Sequence, residues 1–230
     1  MLKKQRIQLP PEEVLQKTTL RRDLLKTICS ELLPKEGAIT LEIGCGHGHF
    51  LTEYAKAHPD STCIGIDLLN GRIERADRKK DRSPEKNLHF LKAEATEFLL
   101  ALPKQIQIEA YFLLFPDPWP KRRHHKNRLL DSDFLSLAAQ KSSPTSPFYF
   151  RTDHCDYFEW GRKAFEAHPD WAIAPELNWA FEQTTVFQEK AESYQSLIAI
   201  KVDPAKSKEK SGKELSKEPS HRLILQNNRH

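Results

Sequence analysis

Short apolar runs alternate with stretches of helical spacing along most of the chain. The runs of strand character lie at residues 38–43, 62–66, 88–91, 110–115, 148–150, 184–187 and 196–202. A helical stretch follows each of the first five runs, and strands joined by helical crossovers are typical of a parallel sheet covered on both faces. The last two runs would add an antiparallel pair. The pattern therefore predicts an α/β fold with a mostly parallel, seven-stranded sheet and helices on both faces.

The two ends of the chain differ from this pattern. Residues 1–19 resemble an extended basic arm, because Pro10 and Pro11 disfavour an early helix. Apolar side chains at intervals of four then predict a helix that ends at Pro34. Residues 204–220 consist mainly of Lys, Ser, Glu, Pro and Gly, which bury too little apolar surface to fold. We predict three parts: an arm and helix (1–36), the main domain (37–203) and a disordered basic tail (204–230).

Composition and cysteine spacing indicate where the protein lies in the cell and whether disulfides or a metal stabilise its fold. A mass of 26.7 kDa suits one such domain with tails. The longest apolar stretch, residues 111–115, is far short of the roughly 20 residues that span a bilayer. Because the basic N-terminus lacks a following apolar block, we expect a cytoplasmic protein that binds no membrane. The four cysteines lack disulfide or zinc spacing, so we expect reduced thiols and no metal.

The excess of positive charge lies at the C-terminal end of the chain, and the rest of the chain has no net charge. Eight of the 36 Lys and Arg residues and four of the 32 Asp and Glu residues lie from residue 201 onward, which leaves 28 of each sign before it. Any attraction to nucleic acid must therefore come from a local basic cluster, with or without help from the tail.

A glycine-rich loop follows the first predicted strand. Gly44, Gly46 and Gly48 form a G-x-G-x-G pattern there. Glycines at a strand-to-helix turn let the backbone approach a ligand closely. The dinucleotide fingerprint expects its third glycine at the position of His49, which weighs against NAD. Asp67 ends the second strand, 23 residues after Gly44. A carboxylate at this position can accept hydrogen bonds from both ribose hydroxyls of an adenosine.

A third acidic residue follows the third strand. In a doubly wound sheet, the loops beyond the carboxyl ends of the strands line one crevice, so Glu94 would lie beside the same ligand. There its carboxylate could hold an adenine amino group, unless it is simply a solvated loop residue.

The segment after the fourth strand carries the most specific signal. Three prolines within five residues stiffen the turn that presents Asp117 and Trp119. Five Lys or Arg residues and two His residues follow within residues 121–128. A rigid carboxylate, an aromatic ring and a basic run at one crevice favour nucleic acid as the ligand. Trp119 could stack on a base or pack against the turn itself.

The sequence Phe-Pro-Asp-Pro-Trp-Pro-Lys-x-Arg-His-x-Lys-x-Arg at residues 115–128 resembles the tRNA (guanine-N7)-methyltransferases of the bacterial type. The resemblance extends from about residue 38 to residue 200. It implies a Rossmann-like fold of the class I methyltransferases that use S-adenosyl-L-methionine. It also implies a guanosine in the tRNA variable loop as the substrate.

The resemblance also implies roles for individual residues. The methyl donor would be bound by Glu42, Gly44, Gly46, Gly48, Asp67, Glu94 and Asp117. The target nucleotide would be contacted by Lys121, Asp153, Thr185, Val186, Phe187 and Gln188. The RNA would be contacted by Arg123, His124, His125, Lys126, Asn127 and Arg128. Asp117 is the candidate catalytic residue, and the sequence does not define the oligomeric state.

The chain departs from the family pattern near its C-terminus. The family's Thr-Lys-Phe-Glu reads Thr-Val-Phe-Gln at residues 185–188, which removes one charge of each sign. The resemblance therefore does not define how this segment would contact the guanosine. Two alternatives therefore stand beside the resemblance: a methyltransferase that acts on an adenine or cytosine amino group, and a non-catalytic RNA-binding protein.

The expected chemistry needs no catalytic base. Guanine N7 carries a lone pair and no proton, so it can attack an activated methyl group directly. Carboxylates then help as fixed counter-charges where positive charge develops on the base, and as acceptors for the guanine N1 and N2 hydrogens. Asp117 and Asp153 are the candidates for both roles.

Overall fold

A computed structural model describes residues 11–82, 85–183, 188 and 191–202. Its seven strands are β1 (Gly37–Ile43), β2 (Thr62–Asp67), β3 (Leu88–Lys92), β4 (Ile106–Leu114), β5 (Pro147–Thr152), β6 (Trp171–Ile173) and β7 (Gln195–Lys201). The α-helices are α1 (Pro11–Leu32), α2 (His49–Ala57), α3 (Asn70–Lys80), α4 (Ala95–Ala101), α5 (Ser132–Lys141) and α6 (Cys155–Ala167). A short 3₁₀-helix covers Arg122–Asn127.

All seven strands form one sheet in the order β3-β2-β1-β4-β5-β7-β6. Strands β1 to β5 pair in parallel, whereas β7 pairs antiparallel with both β5 and β6. The direction of the strand order reverses between β1 and β4, and ligands bind outside the carboxyl ends of strands at such a switch point. The predicted α/β class and seven-stranded sheet are confirmed, and the switch point sets where the site lies.

Helices cover both faces of the sheet. On one face, α1, α4, α5 and α6 pack a core that includes Cys29, Phe98 and Phe165. On the other face, α2 and α3 pack a second core around Phe50 and Ile73. Because side chains alternate along β1, its leucine and isoleucines enter the first core while the side chain of Glu42 points to the α2 face.

Two elements differ from the sequence prediction. Helix α1 begins at Pro11, so residues 11–19 are helical rather than extended. Proline is well tolerated at a first helical position, and Glu12 and Glu13 complement the helix dipole there. The sixth strand is Trp171–Ile173, and three residues are too few to form a recognisable apolar run. The strand predicted at residues 184–187 and the tail predicted from residue 204 lie outside the described residues.

No helix among the described residues is long and apolar enough to cross a membrane. The same residues contain no group of three His, Cys, Asp or Glu side chains arranged to hold a metal ion.

Candidate active site

The glycine loop, residues 44–48, connects β1 to α2 with its three glycines in the left-handed region. Their φ angles are +75° at Gly44, +57° at Gly46 and +68° at Gly48. A Cβ atom at Gly48 would overlap the Phe90 ring, whereas Cβ atoms at Gly44 and Gly46 would meet nothing within 4 Å. The loop therefore packs against β3 at one end and exposes its backbone to open space at the other, as a ligand cradle requires.

Glu42 places a buried carboxylate beneath this loop. The residue is 4% exposed, and its Oε2 atom has no hydrogen-bond partner among the described residues. Burial raises the pKa of Glu42 to about 8, although a hydrogen bond from the Leu51 backbone opposes this shift. A buried polar atom without a partner is costly, so Glu42 is suited to receive a cationic or hydrogen-bonding group of a ligand.

Asp67 lies at the end of β2 and is also buried. Its Oδ2 accepts a hydrogen bond from the Gly46 amide at 3.1 Å, and its Oδ1 accepts one from the Leu69 amide at 2.8 Å. Arg72 lies 3.3 Å from Oδ2. Asp67 therefore fixes the glycine loop to β2, and only part of its acceptor capacity is left for the predicted ribose hydroxyls.

Glu94 follows β3 and caps the N-terminus of α4. Its Oε2 accepts a hydrogen bond from the Glu97 amide at 2.9 Å. The residue also lines an open cleft of about 350 Å³, whose other walls include Lys126, Asn127 and Leu129. The loop that carries Glu94 and the basic run at residues 121–128 thus line one cleft, as the sheet topology predicts.

The proline loop, residues 115–120, is conformationally strained. Phe115 and Trp119 adopt φ angles of +49° and +46°, which cost non-glycine residues about 1–3 kcal/mol each. The Phe115 amide donates to the Arg151 carbonyl of β5 at 2.8 Å. Asp117 lies exposed at the centre of this loop. The surroundings therefore hold the loop in one shape and present the Asp117 carboxylate at the crevice.

Arg128 contradicts its predicted role in RNA contact. Its side chain is only 1% exposed. Its Nε donates to the Pro118 carbonyl at 3.0 Å, and its Nη2 donates to Asp156 Oδ2 at 2.7 Å. The guanidinium also lies 5.1 Å from the Tyr157 ring centroid and 5.3 Å from that of Trp160. Arg128 is thus a structural anchor that ties the proline loop to α6.

Most of the rest of the basic run faces outward, whereas the His125 ring packs against Trp160 and its Nε2 atom lies 3.8 Å from Asp156 Oδ2. Lys121, Arg122, Arg123, Lys126 and Asn127 are exposed, and His124 and His125 are partly exposed. None of the four Lys and Arg side chains in this set forms an ion pair with a described carboxylate. The His124 ring packs edge-on against Trp119, with the ring centroids 5.9 Å apart. The run therefore presents unpaired positive charge next to the proline loop.

The loop after β5 supplies the other acidic candidate. Asp153 is exposed, directly after β5 and before α6. Because β4 and β5 are paired neighbours, with Leu114 opposite Arg151, the loops that carry Asp117 and Asp153 lie side by side. Both carboxylates therefore reach the same edge of the sheet.

The connection between β6 and β7 contains the remaining predicted residues. Thr185, Val186 and Phe187 lie outside the described residues. Gln188 is 8% exposed, and its amide contacts Arg151 and the Tyr194 hydroxyl rather than the open crevice.

Several residues of the site had no role predicted from the sequence. Arg151 lies in an ordinary strand, and its partners are far along the chain. Leu68 and Leu69 are 64% and 54% exposed directly after Asp67, which places apolar surface beside the crevice at the end of β2. An acidic residue followed by two leucines at the end of a strand could have identified this rim.

Comparisons with known proteins agree with this geometry. A family model described as "Putative methyltransferase" matches residues 36–205. A tRNA (guanine-N(7)-)-methyltransferase of Azorhizobium caulinodans is 39% identical over 132 residues, which are 57% of this chain and 56% of that protein. The protein of the same name from Wolbachia pipientis is 31% identical over 158 residues, 69% of this chain and 70% of that one. The chain thus aligns with little more than half the length of the first relative.

Solved structures add support for the fold. The 16S rRNA methyltransferase KamB has a TM-score of 0.53 at 16% identity, covering 76% of this chain and 92% of that one. The aminoglycoside resistance methyltransferase NpmB1 has a TM-score of 0.51 at 17% identity, covering 77% and 93%. These likenesses show the fold alone, whereas the family model and the sequence relatives show the family. The chain belongs to the tRNA (guanine-N7)-methyltransferase family.

Proposed function

We propose that this chain transfers a methyl group from S-adenosyl-L-methionine to N7 of a guanosine in the variable loop of tRNA. One observation carries the proposal: a glycine cradle lies at the switch point of the sheet, beside a buried Glu42 oxygen that has no partner in the described part of the chain, and next to the strained loop that exposes Asp117. The two relatives are named tRNA (guanine-N(7)-)-methyltransferases, which supports guanine N7 of tRNA as the methyl acceptor.

The residues on the β1 and β2 side fit the donor. When bound, S-adenosyl-L-methionine supplies a methyl group activated by a sulfonium. Glu42 would pair with its protonated amino group, because a Glu42 oxygen without a partner in the described residues is buried there. Asp67 and Glu94 would accept hydrogen bonds from the adenosine portion with their remaining lone pairs. The exposed Leu68 and Leu69 offer apolar surface for the purine ring.

The residues on the β4 and β5 side fit a guanine. Asp117 and Asp153 would accept hydrogen bonds from the guanine N1 and N2 hydrogens and would offset the positive charge that develops on the imidazole ring. No residue needs to remove a proton, since N7 carries none. Catalysis then rests on alignment, which can lower a barrier by up to about 7–11 kcal/mol in well-oriented systems.

The exposed cations fit the RNA backbone. Lys121 lies at the end of the proline loop and would contact the target nucleotide, while Arg123 and Lys126 would neutralise phosphates. His124, His125 and Asn127 would donate further hydrogen bonds. Arg128 is omitted from this surface because it is buried.

The decisive test is incubation of the full chain with unmodified tRNA and methyl-labelled donor, followed by digestion to nucleosides. We expect the label in 7-methylguanosine and, after fragment mapping, in the variable loop. Label in N6-methyladenosine or a methylcytidine would instead support the amino-group alternative. Donor affinity measured by isothermal titration addresses the non-catalytic alternative, which predicts no binding.

A further inference from the structure

Arg151 is a buried cation at the end of β5 with an unusually complete set of partners. Its Nη1 and Nη2 atoms donate to the two carboxylate oxygens of Glu182 at 3.0 and 2.8 Å. Its Nε donates to Ser196 Oγ at 2.9 Å, and Nη1 also lies 3.4 Å from Gln188 Oε1. A bidentate pair of this kind fixes the plane and the direction of both side chains.

Two aromatic rings enclose the same guanidinium. Its central carbon lies 4.0 Å from the Trp179 ring centroid and 4.8 Å from the Tyr194 ring centroid. Stacking of this kind strengthens electrostatic contacts by excluding water. The connection between β6 and β7 contains four of these contact residues: Trp179, Glu182, Gln188 and Tyr194. The Arg151 side chain therefore holds these residues of the connection against β5.

The backbone of Arg151 holds a second element. Its carbonyl accepts the hydrogen bond from the Phe115 amide at 2.8 Å, where the proline loop begins with a positive φ. The Phe115 ring packs edge-on against Tyr194, with centroids 5.9 Å apart. The proline loop and the β6–β7 connection therefore meet at Arg151.

We propose that Arg151 is a positioning residue that aligns these two elements around the target base, and that Glu182 supplies the negative charge this alignment needs. Gln188 cannot supply it, because an amide is neutral. Glu182 is the only described carboxylate that forms an ion pair with Arg151. The proposal rests on the proposed function, because it assigns the target base to this side of the crevice.

The test moves the negative charge instead of removing the arginine, whose loss risks misfolding. Glu182→Gln removes the charge from a side chain that is 56% exposed. We expect kcat for tRNA methylation to fall roughly tenfold while donor affinity stays unchanged, since charge-assisted bidentate hydrogen bonds give geometric specificity as well as energy. In the double variant Glu182→Gln/Gln188→Glu, a carboxylate returns beside Nη1, and we expect kcat to recover to within about threefold of the unsubstituted protein.

A matched control is Glu159→Gln, which breaks an Arg–Glu pair of the same 2.8 Å length with Arg162 on α6. We expect this control to leave kcat unchanged. Hydrogen exchange, followed by mass spectrometry, gives a readout independent of activity. Amides of the β6–β7 connection should exchange faster in Glu182→Gln than in the control variant, and the double variant should reverse this.

The outcomes separate the two proposals. Unchanged kcat and exchange in Glu182→Gln, or a double variant no better than the single one, would overturn the role of Arg151 and Glu182. If the unsubstituted chain forms no 7-methylguanosine, the proposed function fails, whereas the exchange arm still reports whether Glu182 holds the connection. A fall in donor affinity equal to the fall in kcat would also contradict a role confined to the target side.

Discussion

The two sides of the crevice are built in different ways. On the proposed donor side, at the ends of β1 and β2, Glu42 and Asp67 are buried, and the backbone amides of Gly46 and Leu69 hold Asp67. On the proposed target side, Asp117 and Asp153 are exposed on loops, and the Arg128 side chain and the Arg151 backbone carbonyl hold the loop that carries Asp117. The difference indicates that the donor side is rigid through the sheet itself, whereas the shape of the target side depends on a few side-chain anchors. Substitutions can test this contrast.

The largest effect is expected at Asp117. Asp117→Asn removes the charge from the strained loop while keeping its size, and we expect kcat to fall by about 10²–10³, the range for loss of one preorganised electrostatic group. Affinity for tRNA should stay within twofold, because the exposed cations remain. Single-turnover methylation and filter binding measure the two quantities. Asp60→Asn, an exposed aspartate between α2 and β2, is the control. Equal loss of tRNA binding and methylation would indicate a folding role instead.

Glu42→Gln should act on the donor side alone. We expect donor affinity to fall roughly 30- to 100-fold at pH 8.5, because a hydrogen bond to a charged group is worth about 1.5–3 kcal/mol. The pKa of Glu42 in the free protein is raised to about 8. Affinity of the unsubstituted chain should therefore rise with pH up to about that value, and this dependence should be absent in the variant. Isothermal titration at several pH values tests both points. A variant that keeps the pH dependence would show that another group binds the donor.

The same substitution should lower donor affinity but raise the thermal stability of the donor-free chain at high pH. A carboxyl group whose pKa is raised on folding binds more protons in the native state, so its contribution to stability is complete below the unfolded pKa and is lost as pH rises toward about 8. Without donor, Glu42→Gln should thus melt at a higher temperature than the unsubstituted chain at pH 8.5, and the gap should shrink toward pH 5. Thermal melts at both pH values measure this. A gap that does not change with pH would contradict the raised pKa.

Arg128→Lys tests the anchor of the proline loop. Lysine keeps the charge but loses the fork that joins the Pro118 carbonyl to Asp156. We expect kcat to fall about tenfold with a smaller change in KM for tRNA, because misplacement acts mainly on alignment. Arg162→Lys on α6 is the matched control. A change confined to the salt dependence of RNA binding would restore Arg128 to the RNA surface.

The smallest effect is expected from single exposed cations. Arg123→Ala and Lys126→Ala should each weaken tRNA binding a few-fold and reduce the slope of log affinity against log salt by about 0.7–0.9. Lys104→Ala, in the exposed turn before β4 at the opposite edge of the sheet, should leave the slope unchanged. Binding measured at several salt concentrations gives the slopes. An unchanged slope for both Arg123→Ala and Lys126→Ala would mean that RNA binds elsewhere.

Local sequence signals were enough to predict the fold class, and they placed the glycine loop after β1 and Asp67 at the end of β2, where the structure has them. A glycine loop after a strand, an acid at the end of the next strand and a proline-rich turn before a basic run each involve residues within a few positions of one another. Backbone geometry and short-range hydrogen bonds decide such features, so they can be read without the fold. The mostly parallel arrangement of the strands then follows from the alternation of apolar runs and helices, whereas their order in the sheet comes from the structure.

Only the tertiary structure decided which charges are buried. Arg128 and its exposed neighbours are indistinguishable in the basic run, and it is buried because Tyr157, Trp160 and Asp156 arrive from α6. Arg151 likewise depends on Glu182, 31 positions away in the chain. A side chain can be buried in its charged form only where the fold supplies its partners, and for these arginines the partners come from elements that sequence spacing does not bring together.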